Sequence, residues 1–533
     1  MFSLPLHEWL NQQLPAGREM YPHLSSKQLI IRFIQDAIID GSLPAAVQLP
    51  SSRTLAAELG ISRNTVISIY QTLQDEGFVV SGHGSGTYVC RVDADVIAKA
   101  QRSDPAPHAD SGPNPAAESE NDGPWFSQRG QKVAFHPLNQ FYVKRPFCAG
   151  VHDLGLFPIK IWNQLQQRHW KQAELSSLVE GEPGGLPLLR QAIAEHLRIS
   201  RGVRCDASQV IITDGTSQSI DLITRLLCDT GDDVWFENPG HWAAAKMFEG
   251  NGLHLRPIDV DECGMPCPDQ VPAAEFGTPP NWPGAAPRIV CLTPSHQFPL
   301  GGVMPTERRL SWLRFAQRTK SILLEDDYDS EYRFGALPLQ SLQGLDEHNR
   351  VIYLGTFSKT LFVGIRIAYL IAPKALAQHF AQASADLYRE GEQVAQAVLA
   401  AFIREGHYAS HLRRTRLIYA ERRQVLQATL KQALAPAFAS GDVAFTGEDV
   451  GVHLTLRLPD TVDDQIVAQR AADAGITVLP LSGYCIGASR SGLVLSYAST
   501  SAEQIAPLAR RLGEIIADAL GAPGPKWCSS CPD

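Results

Sequence analysis

Short apolar runs alternate with stretches of helical periodicity from about residue 145 onward, and this alternation is the strongest constraint on the fold. Runs of this length and spacing are typical of buried strands joined by helices. The candidate strands are Val210–Thr213, Asp233–Glu237, Arg288–Thr293, Ser321–Glu325, Val351–Gly355 and Ile365–Ile371. The pattern predicts an α/β domain with a mainly parallel sheet, whose ligands bind beyond the C-terminal ends of the strands.

Four side chains with complementary chemistry lie at those strand ends. Asp326 and Tyr328 follow the fourth run, Lys359 follows the fifth, and Arg366 comes soon after the lysine. A pyridoxal phosphate (PLP) site needs a lysine for the Schiff base, a carboxylate for the pyridinium proton and an arginine for the phosphate. We therefore predict that Lys359 carries the cofactor and that Tyr328 donates to its phenolate oxygen.

The turns beside these residues supply further candidates. Small residues before a helix present free N–H groups and a positive dipole end to an anion. The predicted cofactor contacts in these turns are Gly215, Thr216, Ser217, Thr356, Ser358 and His296. A lone histidine is more often structural, so for His296 that alternative stays open beside direct contact.

The first ninety residues have a different pattern, in which two short helices with capping serines precede a β-hairpin. A helix over residues 24–40 places the apolar side chains Leu29, Ile30, Phe33, Ile34, Ala37 and Ile38 on one face. A helix over 53–59 ends at Gly60, and a second over 63–76 begins after Ser62. Two β-branched runs follow, on either side of a Gly-rich tip at 81–86. This order predicts a winged helix-turn-helix.

Composition and charge limit the possible partners and compartments. The net charge is −9, and residues 21–90 contain four Lys or Arg against five Asp or Glu. DNA binding would therefore depend on a few placed arginines and not on a broad basic surface. No apolar stretch approaches the roughly 20 residues of a membrane span. With no basic leader and few cysteines, a cytoplasmic protein is expected.

Two segments are expected to carry no folded site. Residues 103–124 contain five prolines and five acids but no large aliphatic residue, which predicts a flexible linker. The close cysteine pairs Cys263/Cys267 and Cys528/Cys531 each lack a second half for a zinc site, so no metal is predicted.

The N-terminal motifs resemble those of the GntR-type winged-helix domain. The resemblance rests on residues 49–66 (LPSSRTLAAELGISRNTV), 70–78 (YQTLQDEGF) and 82–89 (GHGSGTYV). It implies DNA contacts from two groups of residues, Arg53, Arg63, Asn64 and Thr65 in the helices and His83, Gly84, Ser85 and Gly86 in the wing. Ala45-Ala46 stands where the family has Pro-Gly, which we expect to affect a loop and not DNA recognition.

The remaining motifs resemble fold-type I aminotransferases, and in particular the MocR subfamily, which fuses a GntR winged helix to an aminotransferase-like domain. They are 184–194 (GGLPLLRQAIA), 237–240 (ENPG), 293–299 (TPSHQFP), 325–333 (EDDYDSEYR), 342–346 (LQGLD) and 355–359 (GTFSK). The resemblance implies a head-to-tail homodimer. We expect a DNA-binding domain at 18–92, a linker at 93–144, a PLP domain with a small C-terminal α+β part at 145–520, and a tail at 521–533.

This chain departs from the aminotransferase pattern at several positions. Val494 stands where aminotransferases hold the substrate carboxylate with arginine, and no arginine follows His241, where one member that senses γ-aminobutyrate has a second. Phe298 replaces the asparagine beside the phenolate, and Glu180 aligns with the tyrosine that reaches the phosphate across the dimer. Losing both arginines removes bidentate carboxylate binding, so γ-aminobutyrate is not the expected effector.

The resemblance leads to a PLP-dependent transcriptional regulator as the main hypothesis. Its signal is either an amine that reacts at Lys359 or PLP itself. One alternative is an active aminotransferase carrying a DNA-binding domain. Another is a DNA-binding protein whose large domain serves only for dimerisation, which would predict a decayed PLP motif. The intact lysine, acid and arginine argue against that last reading.

Overall fold

The computed structural model describes residues 5–82, 86–90, 126–134, 146–150, 152–172, 181–270, 286–334, 339–447, 450–487 and 489–521. Over these ranges no helix is long and apolar enough to cross a membrane. The chain divides into two compact units, Met1–Asp122 and Gly123–Asp533.

The first unit is a winged helix-turn-helix. Its elements are α1 (Leu6–Met20), α2 (Ser26–Ile39), β1 (Gln48–Leu49), α3 (Ser52–Leu59), α4 (Arg63–Asp75), β2 (Val79–Gly82) and β3 (Gly86–Val89). The strands form an antiparallel sheet in the order β1-β3-β2. The helical faces predicted from periodicity are the buried ones, with Val66, Ile69 and Leu73 of α4 fully enclosed. Helix α1, which the sequence analysis did not include, adds Leu6 and Leu10 to this core.

Serine caps define where the two central helices begin. The Oγ of Ser51 accepts from Thr54 N–H, and the Oγ of Ser62 accepts from Thr65 N–H, each at 3.1 Å. Gly60 ends α3 in the left-handed conformation, at φ +64°. These local signals are why the helix-turn-helix could be predicted from sequence.

The second unit is built on a seven-stranded sheet. Its strands are β4 (Val210–Thr213), β5 (Asp233–Asn238), β6 (His254–Asp259), β7 (Ile289–Leu292), β8 (Ile322–Asp327), β9 (Val351–Thr356) and β10 (Ala368–Ile371). Their order is β4-β10-β9-β8-β7-β5-β6. Pairing is parallel except at β10, which runs antiparallel to both of its neighbours. The sheet is thus mainly parallel, as predicted, but the last predicted strand begins three residues later than expected, after a 3-10 turn at Val363–Ile365.

Helices cover this sheet, and a second, smaller sheet lies towards the C-terminus. The helices are α5 (Gln128–Ala134), α6 (Ile159–Gln172), α7 (Pro187–Arg201), α8 (Thr216–Leu227), α9 (Trp242–Gly250), α10 (Thr306–Thr319), α11 (Leu342–Leu345), α12 (Ala377–Tyr388), α13 (Gln393–Arg404), α14 (His407–Ala433), α15 (Ala435–Ser440), α16 (Asp464–Asp473) and α17 (Ala502–Ala519). The smaller sheet contains β11 (Ala444–Thr446), β12 (His453–Arg457), β13 (Leu479–Pro480) and β14 (Gly492–Ser496), in the antiparallel order β11-β12-β14-β13. The second unit is thus an α/β domain on a mainly parallel sheet with a C-terminal α+β part, which is the architecture that the resemblance implies.

Helix α5 lies inside the segment predicted as a flexible linker. It packs against α9, where the Lys246 amine donates to the backbone oxygen of Val133 at 2.9 Å. Composition did not reveal this helix because most of the predicted linker is rich in proline and acids. The core of that linker, residues 103–124, lies outside the described residues, as does the predicted tail beyond Gly521.

Ala46 occupies a backbone conformation that suits glycine. Its φ is +65°, although its N–H still donates to Val89 O at 2.9 Å. A residue with a Cβ loses about 1–2 kcal/mol in this region, whereas glycine does not. The departure from Pro-Gly noted in the sequence therefore leaves local strain in the loop before β1.

We predict that Ala46→Gly stabilises the first unit by about 0.5–1 kcal/mol, the strain released less the extra chain entropy of glycine. Calorimetry of the full chain would show this as a higher melting temperature for the DNA-binding unit. Ala45→Gly is the matched control, since Ala45 has no positive φ and glycine there should stabilise nothing. Equal effects of the two substitutions would contradict the strain.

Candidate functional site

The strand ends of the large sheet enclose a cavity of about 200 Å³. It is lined by Ala149, Gly150, Gly215, Thr216, Ser217, His241, Phe298, Asp326, Tyr328, Thr356, Ser358, Lys359, Val363, Arg366, Val452 and His453. All of the residues predicted to contact the cofactor are in this lining except His296. The structure therefore brings these residues from distant parts of the chain to one cavity.

Lys359 lies in the loop after β9, with its amine at the wall formed by Gly150. A Cβ on Gly150 would stand 3.1 Å from the lysine Nζ, and Gly150 has a φ of +81° that favours glycine. Burial lowers the pKa of the Lys359 amine, while Asp329 and Asp326 oppose that shift. A lowered pKa increases the fraction of neutral amine, which is the form that attacks a carbonyl group.

Asp326 and Asp327 point to opposite faces of the sheet, as adjacent strand residues do. Asp327 faces away from the cavity, where Arg201 Nε donates to it at 2.8 Å and the Tyr353 hydroxyl at 2.6 Å. Asp326 lines the cavity and is 6% exposed. Burial raises the pKa of Asp326 to about 7, and the nearby Asp327 and Glu237 add to the rise. Such a carboxyl group is suited to a cationic N–H partner in the cavity.

The opposite end of the cavity is suited to an anion. Helix α8 begins at Thr216, and its N-cap Gly215 leaves the first turn without a side-chain cap. The Arg366 guanidinium lies above this turn, with Nη2 3.3 Å from where a Gly215 Cβ would stand. Arg366 itself has a left-handed backbone, at φ +51°. A helix N-terminus and a guanidinium together form a phosphate site.

The remaining wall is aromatic and apolar, and the sequence analysis proposed none of its members as cofactor contacts. His241 occupies the N-cap position of α9, and Phe298 lies in the loop after β7. Val452 and His453 lie directly before and at the start of β12 in the smaller sheet. Burial lowers the pKa of His241 to about 4, so its imidazole is neutral at pH 7. His241 follows a predicted strand and could have been found by the same strand-end argument. Val452 and His453 could not, because only tertiary packing brings them to the cavity.

His296 does not line the cavity but lies directly behind Tyr328. Its Nδ1 is 2.9 Å from the Tyr328 hydroxyl and 3.0 Å from an oxygen of Asp329. The histidine is 3% exposed. The structure thus places His296 in contact with Tyr328 and outside the cavity lining.

Two of the noted departures can be placed in the structure. Val494 lies in β14, fully buried, and pairs with Thr455 and Leu479. Phe298 faces the cavity, with its ring 5.6 Å from that of Tyr328. Glu180 lies outside the described residues.

The first unit presents a separate exposed surface on α3 and α4. Arg53, Arg63 and Asn64 are exposed, whereas the Thr65 hydroxyl is 2.8 Å from that of Ser62 in the helix cap. Further along α4, Ile67 is 41% exposed and lines a shallow groove with Asn64 and Gln71. Sequence reasoning missed Ile67 and Gln71, although their spacing from Asn64 places them on one helical face.

The wing is described only in part. Strands β2 and β3 pair from Val79↔Val89 to Gly82↔Gly86, and Gly86 has a φ of +106°. The predicted contacts His83, Gly84 and Ser85 lie outside the described residues.

The cavity fits the predicted PLP at both of its ends. Within the described part of the chain, no side chain or backbone N–H hydrogen-bonds to the Asp326 carboxyl group, which leaves it for a pyridinium. Gly150 and Gly215 keep open the space that a Cβ would fill beside Lys359 and Arg366. The donor set is therefore a lysine amine, a carboxyl group, a phenol and an anion cradle, which together match PLP chemistry.

We predict that Gly150→Ala weakens PLP attachment at least about tenfold, because the new methyl group displaces the Lys359 amine and the backbone is strained. The measurement is a PLP titration followed by visible absorbance. Gly406→Ala is the matched control, since Gly406 has the same φ of +81° but open space around it. Equal loss in both variants would show that backbone strain alone is responsible.

A second prediction concerns pH. Between about pH 4 and pH 7, an acid whose pKa is raised from 3.8 to about 7 is protonated in the folded state and ionised in the unfolded state. The free energy of unfolding therefore falls as pH rises through that range. Cofactor-free Asp326→Asn should therefore be more stable than the unaltered protein, with a gain that grows from about pH 4 to pH 7 and then stays constant, on the order of 4 kcal/mol. Calorimetry at pH 5 and pH 8 measures this, with the exposed Asp473→Asn as control. The same gain at both pH values would contradict it.

Comparison with known families matches both units of the chain. The family "Aminotransferase class I and II" matches residues 152–512, and "Bacterial regulatory proteins, gntR family" matches residues 27–89. Among solved structures, the α-aminoadipate aminotransferase LysN from Thermus thermophilus, complexed with N-(5'-phosphopyridoxyl)-L-leucine, superposes with a TM-score of 0.65 at 26% identity. That match covers 74% of this chain and 98% of LysN.

Other relatives match nearly the whole length of this chain. The probable rhizopine catabolism regulatory protein MocR of Rhizobium meliloti is 34% identical over 91% of this chain and 90% of its own. The pyridoxine biosynthesis transcriptional regulator PdxR of Corynebacterium glutamicum is 27% identical over 91% of this chain and 95% of its own. The chain therefore belongs to the MocR subfamily of GntR-type regulators, in which a winged helix is joined to a PLP-binding domain of the class I and II aminotransferase family.

Proposed function

We propose that this chain is a PLP-dependent transcriptional regulator whose large domain senses a ligand and does not turn over a substrate. The observation that carries the proposal is the presence of a complete PLP cavity and an exposed recognition helix in one chain. Relatives that span the whole chain are named as regulators, among them MocR and PdxR.

The cavity residues have separable tasks in this proposal. PLP, when bound, supplies an aldehyde for covalent capture of an amine and an electron sink. When PLP is bound, the neutral form of the Lys359 amine would be the attachment point, and Arg366 with the first turn of α8 would hold the phosphate. Asp326 would face the pyridine nitrogen, where burial and the nearby acids raise the pKa of its carboxyl group and so keep a proton at that position. Tyr328 would donate to the ring oxygen.

The wall that faces an incoming ligand supports sensing over transamination. Val494 takes the place of the carboxylate-binding arginine of aminotransferases and is enclosed in the small sheet. Among the described residues, Phe298, Val452 and Val363 give the cavity an apolar side. An amino-acid substrate would therefore lack the paired contacts that orient its carboxylate for repeated turnover.

We further propose that the active form is a homodimer and that the signal is an amine or PLP itself. A ligand can alter DNA binding only if it has different affinities for two states of the protein. Either signal meets this condition if the occupied and empty cavities favour different states. A regulator of pyridoxine biosynthesis among the relatives keeps PLP itself as a candidate.

DNA recognition is assigned to α4 and the arginines beside it. Arg53 and Arg63 stand at the N-terminal turns of α3 and α4, where they can reach phosphates or guanine edges. Asn64 lies on the exposed face of α4 and can pair with adenine. Residues 21–90 contain only four Lys or Arg, so DNA binding would depend on a few specific contacts of this kind.

A crossed pair of substitutions tests the proposal. Lys359→Ala should abolish the visible absorbance of the PLP complex and the response of DNA binding to amines or PLP, without loss of fold. Arg63→Ala should keep the absorbance and weaken DNA binding by about ten- to a hundredfold, the usual cost of one specific contact. Fluorescence anisotropy on a DNA site selected from a random pool measures the second effect.

Arg32→Ala is the control for charge, because it removes an exposed arginine of α2 that contacts Asp36 in its own helix and the Tyr21 ring. Retained absorbance in Lys359→Ala would refute the attachment point. Unchanged DNA affinity in Arg63→Ala would refute the assignment of the recognition helix. Steady formation of a keto acid from any amino acid would favour the aminotransferase instead.

A further inference from the structure

A buried hydrogen-bonded chain lies behind the cavity and ends at the Tyr328 hydroxyl. His296 Nδ1 is 3.0 and 3.1 Å from the two oxygens of Asp329, and 2.9 Å from Tyr328 Oη. Asp329 is completely buried and also accepts from the backbone N–H of Val452 at 3.2 Å. Of the three hydrogen-bonded residues His296, Asp329 and Tyr328, Tyr328 is the one that lines the cavity.

The positions of the protons follow from the chemistry of these groups. A carboxylate only accepts hydrogen bonds. The contact of His296 Nδ1 with the Asp329 carboxylate therefore places a proton of His296 on Nδ1. The same N–H faces Tyr328 Oη, which must therefore act as an acceptor towards the imidazole. Burial raises the pKa of Tyr328 well above its usual value, so the phenol keeps its own proton. Among the described residues the acceptor within reach of that proton is His296 O, 3.1 Å away, and the alternative is donation into the cavity.

The smaller sheet holds the hydrogen-bonded residues His296 and Asp329 in place. Gly451 has a φ of +80°, and a Cβ there would overlap the His296 ring and the Asp329 carboxylate. The Tyr497 hydroxyl donates to Gly451 O, and the next residue, Val452, lines the cavity. His296 and Asp329 therefore have little freedom to rotate away from Tyr328.

We propose that His296 and Asp329 are positioning residues that make Tyr328 a hydrogen-bond donor into the cavity, and that they thereby set the ionisation of the bound cofactor. The proposal rests on the proposed function, because it requires PLP in the cavity. A hydroxyl that accepts one hydrogen bond becomes a stronger donor in another. The Nδ1–H of His296 thus strengthens the donation of Tyr328 to the anionic ring oxygen.

The same cluster could be read as a metal site, since ligand atoms of His296, Asp329 and His453 lie within 4.8 Å of one another. The hydrogen bonds favour the proton chain. Nδ1 of His296 is already in hydrogen-bond contact with both oxygens of Asp329. A cation bound between these two groups would have to replace that contact.

The test is the pH dependence of the visible absorbance of the PLP-loaded full chain. Removing a donor to the ionised form of an acid raises the pKa of that acid. His296→Leu should therefore raise the midpoint of the absorbance titration by about one pH unit. His296→Asn is the matched control, because its amide N–H can replace Nδ1–H, and it should restore most of the original midpoint.

A double-mutant comparison separates action through Tyr328 from action by another route. Tyr328→Phe should raise the midpoint at least as much as His296→Leu, and the two changes together should add nothing further. If His296→Leu is too unstable because Asp329 is left short of a partner, His296→Leu/Asp329→Asn removes the uncompensated charge and should show the same shift.

Additive shifts, or an unchanged midpoint in the leucine variants, would overturn the inference while leaving the proposed function intact. A midpoint that moves on chelator treatment of the unaltered protein would overturn it in favour of a metal. If the unaltered protein shows no absorbance with PLP, the proposed function itself fails.

Discussion

The cofactor site depends on placing the Asp326 carboxyl group and the Lys359 amine together where water is largely excluded. Burial raises the pKa of the acid to about 7 and lowers the pKa of the amine, so each group is held away from its usual charge state. Glu237 beneath the same strand ends has its pKa raised to about 7 as well, again because of burial. Burying these groups without partners lowers the stability of the empty protein. Binding of a cationic ring to the acid and of an aldehyde to the amine would offset that cost.

The rest of the large domain holds these groups in place. Arg201 and Tyr353 bind Asp327 on the far face of the sheet, which fixes the end of β8 and so the direction of Asp326. Glu325 accepts the N–H groups of Leu342 and Gln343, which joins β8 to α11. Both sets of contacts are made to buried carboxylates, Asp327 and Glu325. These contacts hold the end of the strand that carries Asp326, which favours a preorganised site.

Strands that are encoded by short apolar runs could be predicted from the sequence, whereas features that depend on distant contacts could not. Strands β4, β7, β8 and β9 are buried on both faces and read as continuous apolar runs, so they were predicted to within one or two residues. Strand β6 was missed, because it is an edge strand with a proline at position 257 and exposed residues in alternation. The antiparallel direction of β10 was not predicted either, since direction depends on the path of the chain and not on composition.

The sequence by itself determined the two-domain organisation and the helix-turn-helix, and it led to the four side chains proposed for the PLP site. Each of these follows from periodicity, capping or the position of a residue after a strand, which are properties of short segments. Only the tertiary structure decided that Gly150, His241, Val452 and His453 complete the cavity. It also placed His296 behind Tyr328, because the approach of the smaller sheet through Gly451 is a long-range contact that no local pattern encodes.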